Sequence, residues 1–322
     1  MRLGLLSTAN INRAILQGAA EADGVEVVAV GSRDGARAQS YASEHGIPRA
    51  HAAYEGLLED PEVDAVYVSL PNGMHHEWTM RALAAGKHVL CEKPYSRHPA
   101  EVEEAFAAAE SAGLVLTEAF MYRHHPQTKT IQQLVLDGAV GRILTLRATF
   151  SFPLTDLTNV RAIPELDGGA LMDVGCYCVS GCRLVAGEPV TVLAEQVTGE
   201  TGVDMALYGT MRFWDDVVAQ FEASFLAPER QLLEVVGDQG VLRAFAPWRV
   251  DWGGELQLER SGAAPEVVTV EQADSYRLQL ENLAEAVAGR APVLLGLTDA
   301  VGQARAIDAL YRSAEKGASV SV

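Results

Sequence analysis

The chain is short of positive charge, has few cysteines, lacks a long unbroken apolar run, and has no Gly-x-Gly-x-x-Gly pattern at its first turn. Lysine and arginine number 25 against 43 aspartates and glutamates, for a formal net charge of −18. Nucleic-acid phosphates are bound by basic surfaces, so this balance excludes nucleic acid as a partner and disfavours docking on anionic lipid. It reads instead as a solubilising surface. No apolar run approaches the length of a membrane span, so no membrane partner is expected. Met1-Arg2-Leu3-Gly4-Leu5-Leu6 lacks the long apolar region and small-residue cleavage site of a signal peptide, and a cytoplasmic location is expected. Of the four cysteines, Cys176, Cys178 and Cys182 crowd one segment. On a helix over Ala170–Val185, Cys176 projects away from the Cys178/Cys182 face, so the three cannot converge on one ion. With Cys91 they read as small apolar residues in a reduced compartment. No His/Asp/Glu cluster has ligand spacing either, and no metal is expected.

What is present is an apolar fraction of 48% over 322 residues, enough for two domains with sizeable cores. The first third alternates short apolar strands (Leu3–Ser7, Val25–Ser32, Ala65–Leu70, His88–Cys91, Val115–Ala119) with Ala-rich helices at Ile11–Ala22, Gly35–His45, His75–Ala85 and Ala100–Ala112. That alternation predicts a doubly wound parallel sheet over residues 1–120, a Rossmann domain. Beyond it the rhythm changes. Helices at Gln127–Asp137 and Ala170–Val185 accompany alternating strands at Ile143–Phe152, Thr191–Val197, Met205–Phe213, Val217–Phe225, Leu232–Val236, Leu242–Ala246 and Leu256–Leu258. Residues 121–322 are therefore expected to form an α+β domain with a mostly antiparallel open sheet, making the whole chain α/β. Two helices, Tyr276–Ala288 and Asp299–Lys316, close the chain, and a terminal helix packing back on the first domain is allowed for.

A dinucleotide pyrophosphate belongs at the first strand end and helix N-terminus. There the chain reads Ser7-Thr8-Ala9-Asn10-Ile11-Asn12, with Ser7, Ala9 and Asn12 where glycines would stand. Small residues still admit close backbone approach, and the Ser and Thr hydroxyls offer phosphate hydrogen bonds; an ordinary strand–helix turn explains the segment equally well. The end of the second strand is more discriminating. Where NAD binders place a carboxylate for the ribose 2′-hydroxyl, this chain has Ser32-Arg33-Asp34 with Arg37 one helical turn on. Arg33 and Arg37 suit a 2′-phosphate, Ser32 adds a hydrogen bond, and Asp34 suits a helix N-cap, so NADP is expected over NAD.

Further segments carry a resemblance. They are Pro71-Asn72-Gly73-Met74-His75, Cys91-Glu92-Lys93-Pro94, Glu118-Ala119-Phe120-Met121-Tyr122-Arg123-His124-His125-Pro126, Asn159-Val160-Arg161, and Gly168-Gly169-Ala170-Leu171-Met172-Asp173-Val174-Gly175-Cys176-Tyr177. In this order they resemble the Gfo/Idh/MocA oxidoreductases, especially the branch of dimeric dihydrodiol dehydrogenases and NADP-dependent D-xylose 1-dehydrogenases. The resemblance runs from residue 2 to about residue 190 and continues only as a fold pattern.

The resemblance implies a catalytic group at Lys93, Asp173 and Tyr177. It also implies cofactor contacts from the first turn (Ser7 to Ile11), Ser32, Arg33, Arg37, Leu70, Asn72, His75, Glu92, Lys93 and Arg123. Phe152, Asn159 and Arg161 are expected to line a sugar pocket with Asp173 and Tyr177, although Phe152 serves equally as strand packing, and His125 is a weaker candidate for a cofactor or substrate contact. The tryptophans Trp78, Trp214, Trp248 and Trp252, and His124, read as structural.

The physical chemistry is consistent with these roles. Asp173 and Tyr177 are four residues apart on the expected helix and share a face. Gly175 hints at close packing, and Gly168-Gly169 lets a backbone lie near substrate. Oxidising a carbinol carbon also removes the hydroxyl proton. A tyrosine titrates near pH ~10, and a nearby ammonium lowers such a group by about 1–3 units, so Lys93 would bring Tyr177 toward neutrality as the general acid/base. The expected activity is hydride transfer between nicotinamide and a small-molecule substrate, an aldopyranose at C1 or a vicinal diol. Alternatives are a ketosugar reductase, a C3-oxidising enzyme that recycles its cofactor, and a catalytically silent NADP-binding sensor. An open sheet face implies a homodimer or homotetramer.

Overall fold

The computed structural model describes residues 1–252 and 254–322, the side chain of Trp252 excepted. The chain begins with β1 (Arg2–Leu6), α1 (Asn12–Glu21), β2 (Glu26–Gly31), α2 (Gly35–His45), β3 (Arg49–His51), α3 (Tyr54–Leu58), β4 (Ala65–Val68), α4 (His75–Ala84), β5 (His88–Cys91), α5 (Pro99–Ala112) and β6 (Leu116–Glu118). The strands form one six-stranded sheet of order β3-β2-β1-β4-β5-β6, parallel throughout. All four residues of β4 are buried, as befits an apolar strand covered on both faces. The strand order reverses between β1 and β4. In open sheets ligands bind beyond the carboxyl ends of strands at such a reversal.

The helices start and stop where the sequence signals it. Asp34 caps α2 by accepting from the amides of Ala36 and Arg37, and Gly46 ends it at φ 67°. Short elements without sustained periodicity, β3 and α3, went unexpected.

After α6 (Pro126–Leu136) comes β7 (Ile143–Ser151), then α7 (Cys176–Ala186), β8 (Thr191–Thr198), β9 (Asp204–Arg212), β10 (Val218–Ser224), β11 (Arg230–Gly237), β12 (Gly240–Phe245), β13 (Glu255–Arg260) and β14 (Glu266–Val268). With β15 (Val320–Ser321) these strands form a nine-stranded sheet of order β14-β13-β12-β11-β7-β10-β9-β8-β15, antiparallel except for the parallel β7–β10 pair. On β7 the side chains of Leu146, Ala148 and Phe150 are buried beneath α7, while Arg147 points the other way into solvent. This is the strand alternation of a sheet covered on one face.

The helix expected over Ala170–Val185 is not one regular element. Leu171–Gly175 is wound as a π-turn, and α7 follows from Cys176. Gly175 sits against Ala223, where an added Cβ would lie 2.9 Å from the alanine methyl, and the chain widens its turn just before this contact. The three cysteines themselves lie beyond the π-turn, all on the regular helix α7. Cys176, Cys178 and Cys182 are all buried and free, and burial pushes the Cys182 thiol up to about 12.

The chain closes with α8 (Ser275–Val287) and α9 (Leu297–Lys316). The fold divides into two units, Met1–Met121 with Asp274–Val301, and Tyr122–Ala273 with Gly302–Val322. Residues 121–322 are thus not one continuous domain. Helix α8 packs along α1, and the Thr117 hydroxyl donates to Leu295 O at 2.9 Å.

One helical stretch, Pro164–Ala186, has a mean hydropathy of 1.2, enough by length and composition to cross a membrane. However, 78% of it is buried within the structure, as in a core helix.

Candidate active site

The first unit presents two loops at the carboxyl ends of its strands. At the β1–α1 turn, Ser7 occupies the first glycine-like position at φ 153°. Its hydroxyl lies 2.7 Å from Ser69 Oγ and 3.0 Å from Ser69 O, and it accepts from Ala9 N at 3.1 Å. Asn12 Nδ2 donates to Ser7 O at 2.8 Å. Serine and asparagine thus tie the turn with side-chain hydrogen bonds in the absence of the usual glycines. Thr8, Ala9 and Asn10 line a cavity of about 230 Å³ that also reaches Arg37.

The loop after β5 carries Glu92-Lys93-Pro94 and is fixed at three points. The Tyr67 hydroxyl donates to Glu92, His75 Nδ1 lies 2.9 Å from Pro94 O, and Tyr95 N donates to Glu118 Oε1 at 2.7 Å. His75 is fully buried, and its Nε2 lies 2.8 Å from Leu70 O, so one ring joins the loops that follow β4 and β5. Burial lowers its pKa against the two carbonyls that favour the charged ring, and the Lys93 charge adds to the lowering.

In the second unit the π-turn and α7 carry Asp173 and Tyr177. The turn is held at its start by Asp204 of β9, whose Oδ2 accepts from Leu171 N at 2.7 Å and whose Oδ1 accepts from the Tyr311 hydroxyl at 3.0 Å. Burial raises the Asp204 pKa to about 6 despite these donors. Gly169 precedes the turn at φ 124°, and a Cβ there would strike the Asp204 carboxylate. Gly168 admits the backbone of Arg161, whose carbonyl accepts from Gly169 N at 2.8 Å.

Asn159 caps the short turn before Arg161, and Arg161 Nε donates to Asp173 Oδ2 at 2.6 Å. Tyr177 is buried in an aromatic group, with ring centroids 5.5 Å from Phe150, 5.8 Å from Tyr122 and 6.1 Å from Trp248. Tyr122 Oη lies 2.7 Å from Ser180 Oγ, and Gln303 Nε2 donates to Cys176 O at 2.8 Å, bracing α7 on two sides. Among the described residues no three His, Cys, Asp or Glu side chains are grouped to hold a metal ion.

Comparison with known proteins agrees with both halves of this picture. Residues 2–120 match the family model described as "Oxidoreductase family, NAD-binding Rossmann fold", and residues 128–243 match the "GFO/IDH/MocA C-terminal domain". The chain belongs to the Gfo/Idh/MocA oxidoreductases. It is 40% identical over 325 residues to "D-xylose 1-dehydrogenase (NADP(+)) 2" of Haloferax volcanii, covering 100% of each chain. It is 35% identical over 221 residues to the "trans-1,2-dihydrobenzene-1,2-diol dehydrogenase" of Xenopus laevis, covering 68% of this chain and 66% of that protein. Among solved structures, the 3-ketoreductase KijD10 of Actinomadura kijaniata in complex with NADP and TDP-benzene superposes with a TM-score of 0.92 at 29% identity, covering 97% of each chain.

In this Gfo/Idh/MocA oxidoreductase the candidate residues have definite partners of their own. Ser7 does not offer its hydroxyl outward, because it is spent on Ser69 and Ala9. His75 is fully buried, both ring nitrogens lying against the carbonyls of Pro94 and Leu70, and it braces the two loops. His125 caps α6, its Nδ1 accepting from Gln127 N at 3.0 Å, and Arg123 turns a guanidinium nitrogen to 3.4 Å from Ser180 Oγ. The space at Gly168 is taken by the chain's own Arg161 backbone and that at Gly169 by the Asp204 carboxylate. Phe152 packs on Phe225 with centroids 5.2 Å apart. Trp214 is 73% exposed and is no core residue, whereas Trp78 and Trp248 are buried; the Trp252 side chain lies outside the described residues.

Sequence reasoning missed Tyr67, Glu118, Asp204, Gln303 and Tyr311. The signal for Glu118 was its place in the quoted Glu-Ala-Phe-Met-Tyr segment, while the others lie in unremarkable strands and helices.

Proposed function

We propose that the protein is an NADP-dependent dehydrogenase that oxidises an aldopyranose at C1, or a vicinal diol, with Tyr177 exchanging the hydroxyl proton. The observation that carries this reading is that Lys93, Asp173 and Tyr177 all stand in braced elements, in a chain similar from end to end to an NADP-dependent xylose dehydrogenase.

The fit of the cofactor rests on the first unit. Asp34, the carboxylate nearest the end of β2, is engaged as the cap of α2, which leaves Ser32, Arg33 and Arg37 to meet a 2′-phosphate. Small residues at Thr8-Ala9-Asn10 admit the pyrophosphate at the start of α1. Asn72 and the Leu70 and Glu92 loops complete the cofactor residues. Bound there, the nicotinamide supplies the hydride acceptor in oxidation or its donor in reduction.

The chain's own residues handle the proton and the orientation. Tyr177 acts as base toward the substrate hydroxyl in oxidation and as acid in reduction. Lys93 stabilises its phenolate and touches a substrate or ribose hydroxyl. Asp173, steadied by Arg161, orients a second hydroxyl, with Asn159 beside it. The aromatic wall of Tyr122, Phe150 and Trp248 keeps water from the back of the Tyr177 ring.

We also propose a homo-oligomer formed through the uncovered face of the nine-stranded sheet. The reverse direction, reduction of a ketosugar, is the second reading, favoured by the likeness to the 3-ketoreductase.

The test is reduced-nicotinamide absorbance with NADP or NAD against xylose, glucose, other pyranoses and a trans-diol. NADP-preferring turnover of a pyranose or diol is expected. Tight NADP binding with no turnover of any of them would move the assignment to a ketosugar reductase or a silent sensor.

A further inference from the structure

In a chain with 43 carboxylates and 25 lysines and arginines, an arginine without a carboxylate partner stands out. Arg2, Arg81, Arg243, Arg277 and Arg312 are each ion-paired. Arg13 and Arg37 make no ion pair among the described residues, and both line the same cavity of about 230 Å³. They reach it from different elements, Arg13 from the first turn of α1 and Arg37 from the first turn of α2.

The rest of the wall separates two possible tasks for Arg13. A pyrophosphate at a helix N-terminus is held by backbone amides. The cavity that Arg13 lines includes Thr8, Ala9 and Asn10 of the β1–α1 turn, but the rest of its wall, Arg37, Ser40, Tyr41, Glu44 and His45, belongs to α2, the helix that follows the strand end where the ribose 2′ position is read. Burial raises the Tyr41 pKa, while the Asn12 side chain and the charge of Arg13 act on it in the opposite direction.

The N-terminus of α2 cannot serve an anion there, because the Asp34 carboxylate already takes the amides of Ala36 and Arg37. A phosphate must then be held by side chains. Glu44 is the one carboxylate in the lining; it is 62% exposed and lies 3.8 Å from His45 Nε2. At about 230 Å³ the cavity is smaller than the ~300–1,000 Å³ of a whole ligand pocket, so it suits one end of a larger molecule.

We propose that Arg13 is a specificity-determining residue that, with Arg37, grips the 2′-phosphate of the cofactor's adenosine end. The inference rests on the NADP reading above. A phosphate dianion between two guanidinium groups gains charge-assisted, forked hydrogen bonds that a 2′-hydroxyl does not.

The test is equilibrium binding of 2′,5′-ADP and 5′-ADP, by calorimetry, to wild type and to Arg13→Gln, Arg13→Lys and Arg37→Gln. Unliganded melting temperatures serve as the control for folding. Arg13→Gln is expected to weaken 2′,5′-ADP by more than about tenfold and leave 5′-ADP essentially unchanged, with Arg13→Lys in between. Equal weakening of both nucleotides overturns the assignment by making Arg13 a general or pyrophosphate contact. Unchanged 2′,5′-ADP binding in Arg13→Gln alongside weakening in Arg37→Gln overturns it while leaving the NADP reading intact. A wild type that does not discriminate the two nucleotides overturns both.

Discussion

Asp204 shows how much of the site depends on a residue that touches no substrate. It is a buried carboxylate that accepts from Leu171 N and the Tyr311 hydroxyl, and burial raises its pKa from 3.8 to about 6. A raised acid favours the folded state fully only below its unfolded pKa. As pH climbs from about 3 to about 7 the unfolded chain releases the proton first, and about 3 kcal/mol of stability is lost. Asp204→Asn cannot ionise. The difference in unfolding free energy between wild type and Asp204→Asn is therefore expected to shift against wild type by about 3 kcal/mol between pH 3 and pH 7. A difference that stays flat over this range would contradict the assignment.

Other single residues explain why motif reading went only part of the way. Ser7 and His75 lie in the right loops, but their polar atoms face inward, toward Ser69 and toward the carbonyls of Leu70 and Pro94. A sequence shows which loop a residue occupies; the direction of its side chain depends on partners that lie far along the chain.

At the scale of elements, the parallel sheet was legible because its strands are apolar on both faces and alternate with Ala-rich helices. Every principal helix and strand of the first 120 residues has a counterpart near its expected place. Elements of two to five residues, β3, α3, β14 and β15, carry too little pattern to announce themselves.

The element that mattered most was read in the wrong form. Regular helical spacing put Asp173 and Tyr177 on one face, yet Leu171–Gly175 is a π-turn. The extra residue per turn is invisible to a periodicity argument. It arises where Gly175 meets Ala223 and Asp204 holds the amide of Leu171, and both contacts come from distant strands. The pairing of Arg161 with Asp173 was missed for a related reason. The loop folds back because Gly168 and Gly169 allow it, and the same glycines had suggested room for substrate.

At the scale of the whole molecule, the acidic charge and the uncovered sheet face work together. That face mixes exposed Leu193, Tyr208 and Phe245 with ion pairs such as Arg243–Glu234, a composition suited to a contact between copies. Light scattering is expected to show a dimer or tetramer, and Tyr208→Asp is expected to shift it toward monomer. A wild-type protein that is monomeric at all concentrations would remove the proposal.

The central claim concerns proton transfer, and Tyr177→Phe addresses it most directly. The substitution keeps the ring among Tyr122, Phe150 and Trp248 and deletes only the hydroxyl. The measurement is the steady-state rate of reduced-nicotinamide formation with NADP and the best pyranose or diol, alongside the NADP dissociation constant. The account predicts a fall in kcat of about 10²–10⁴-fold with NADP affinity unchanged. Turnover by Tyr177→Phe near the wild-type rate would contradict it.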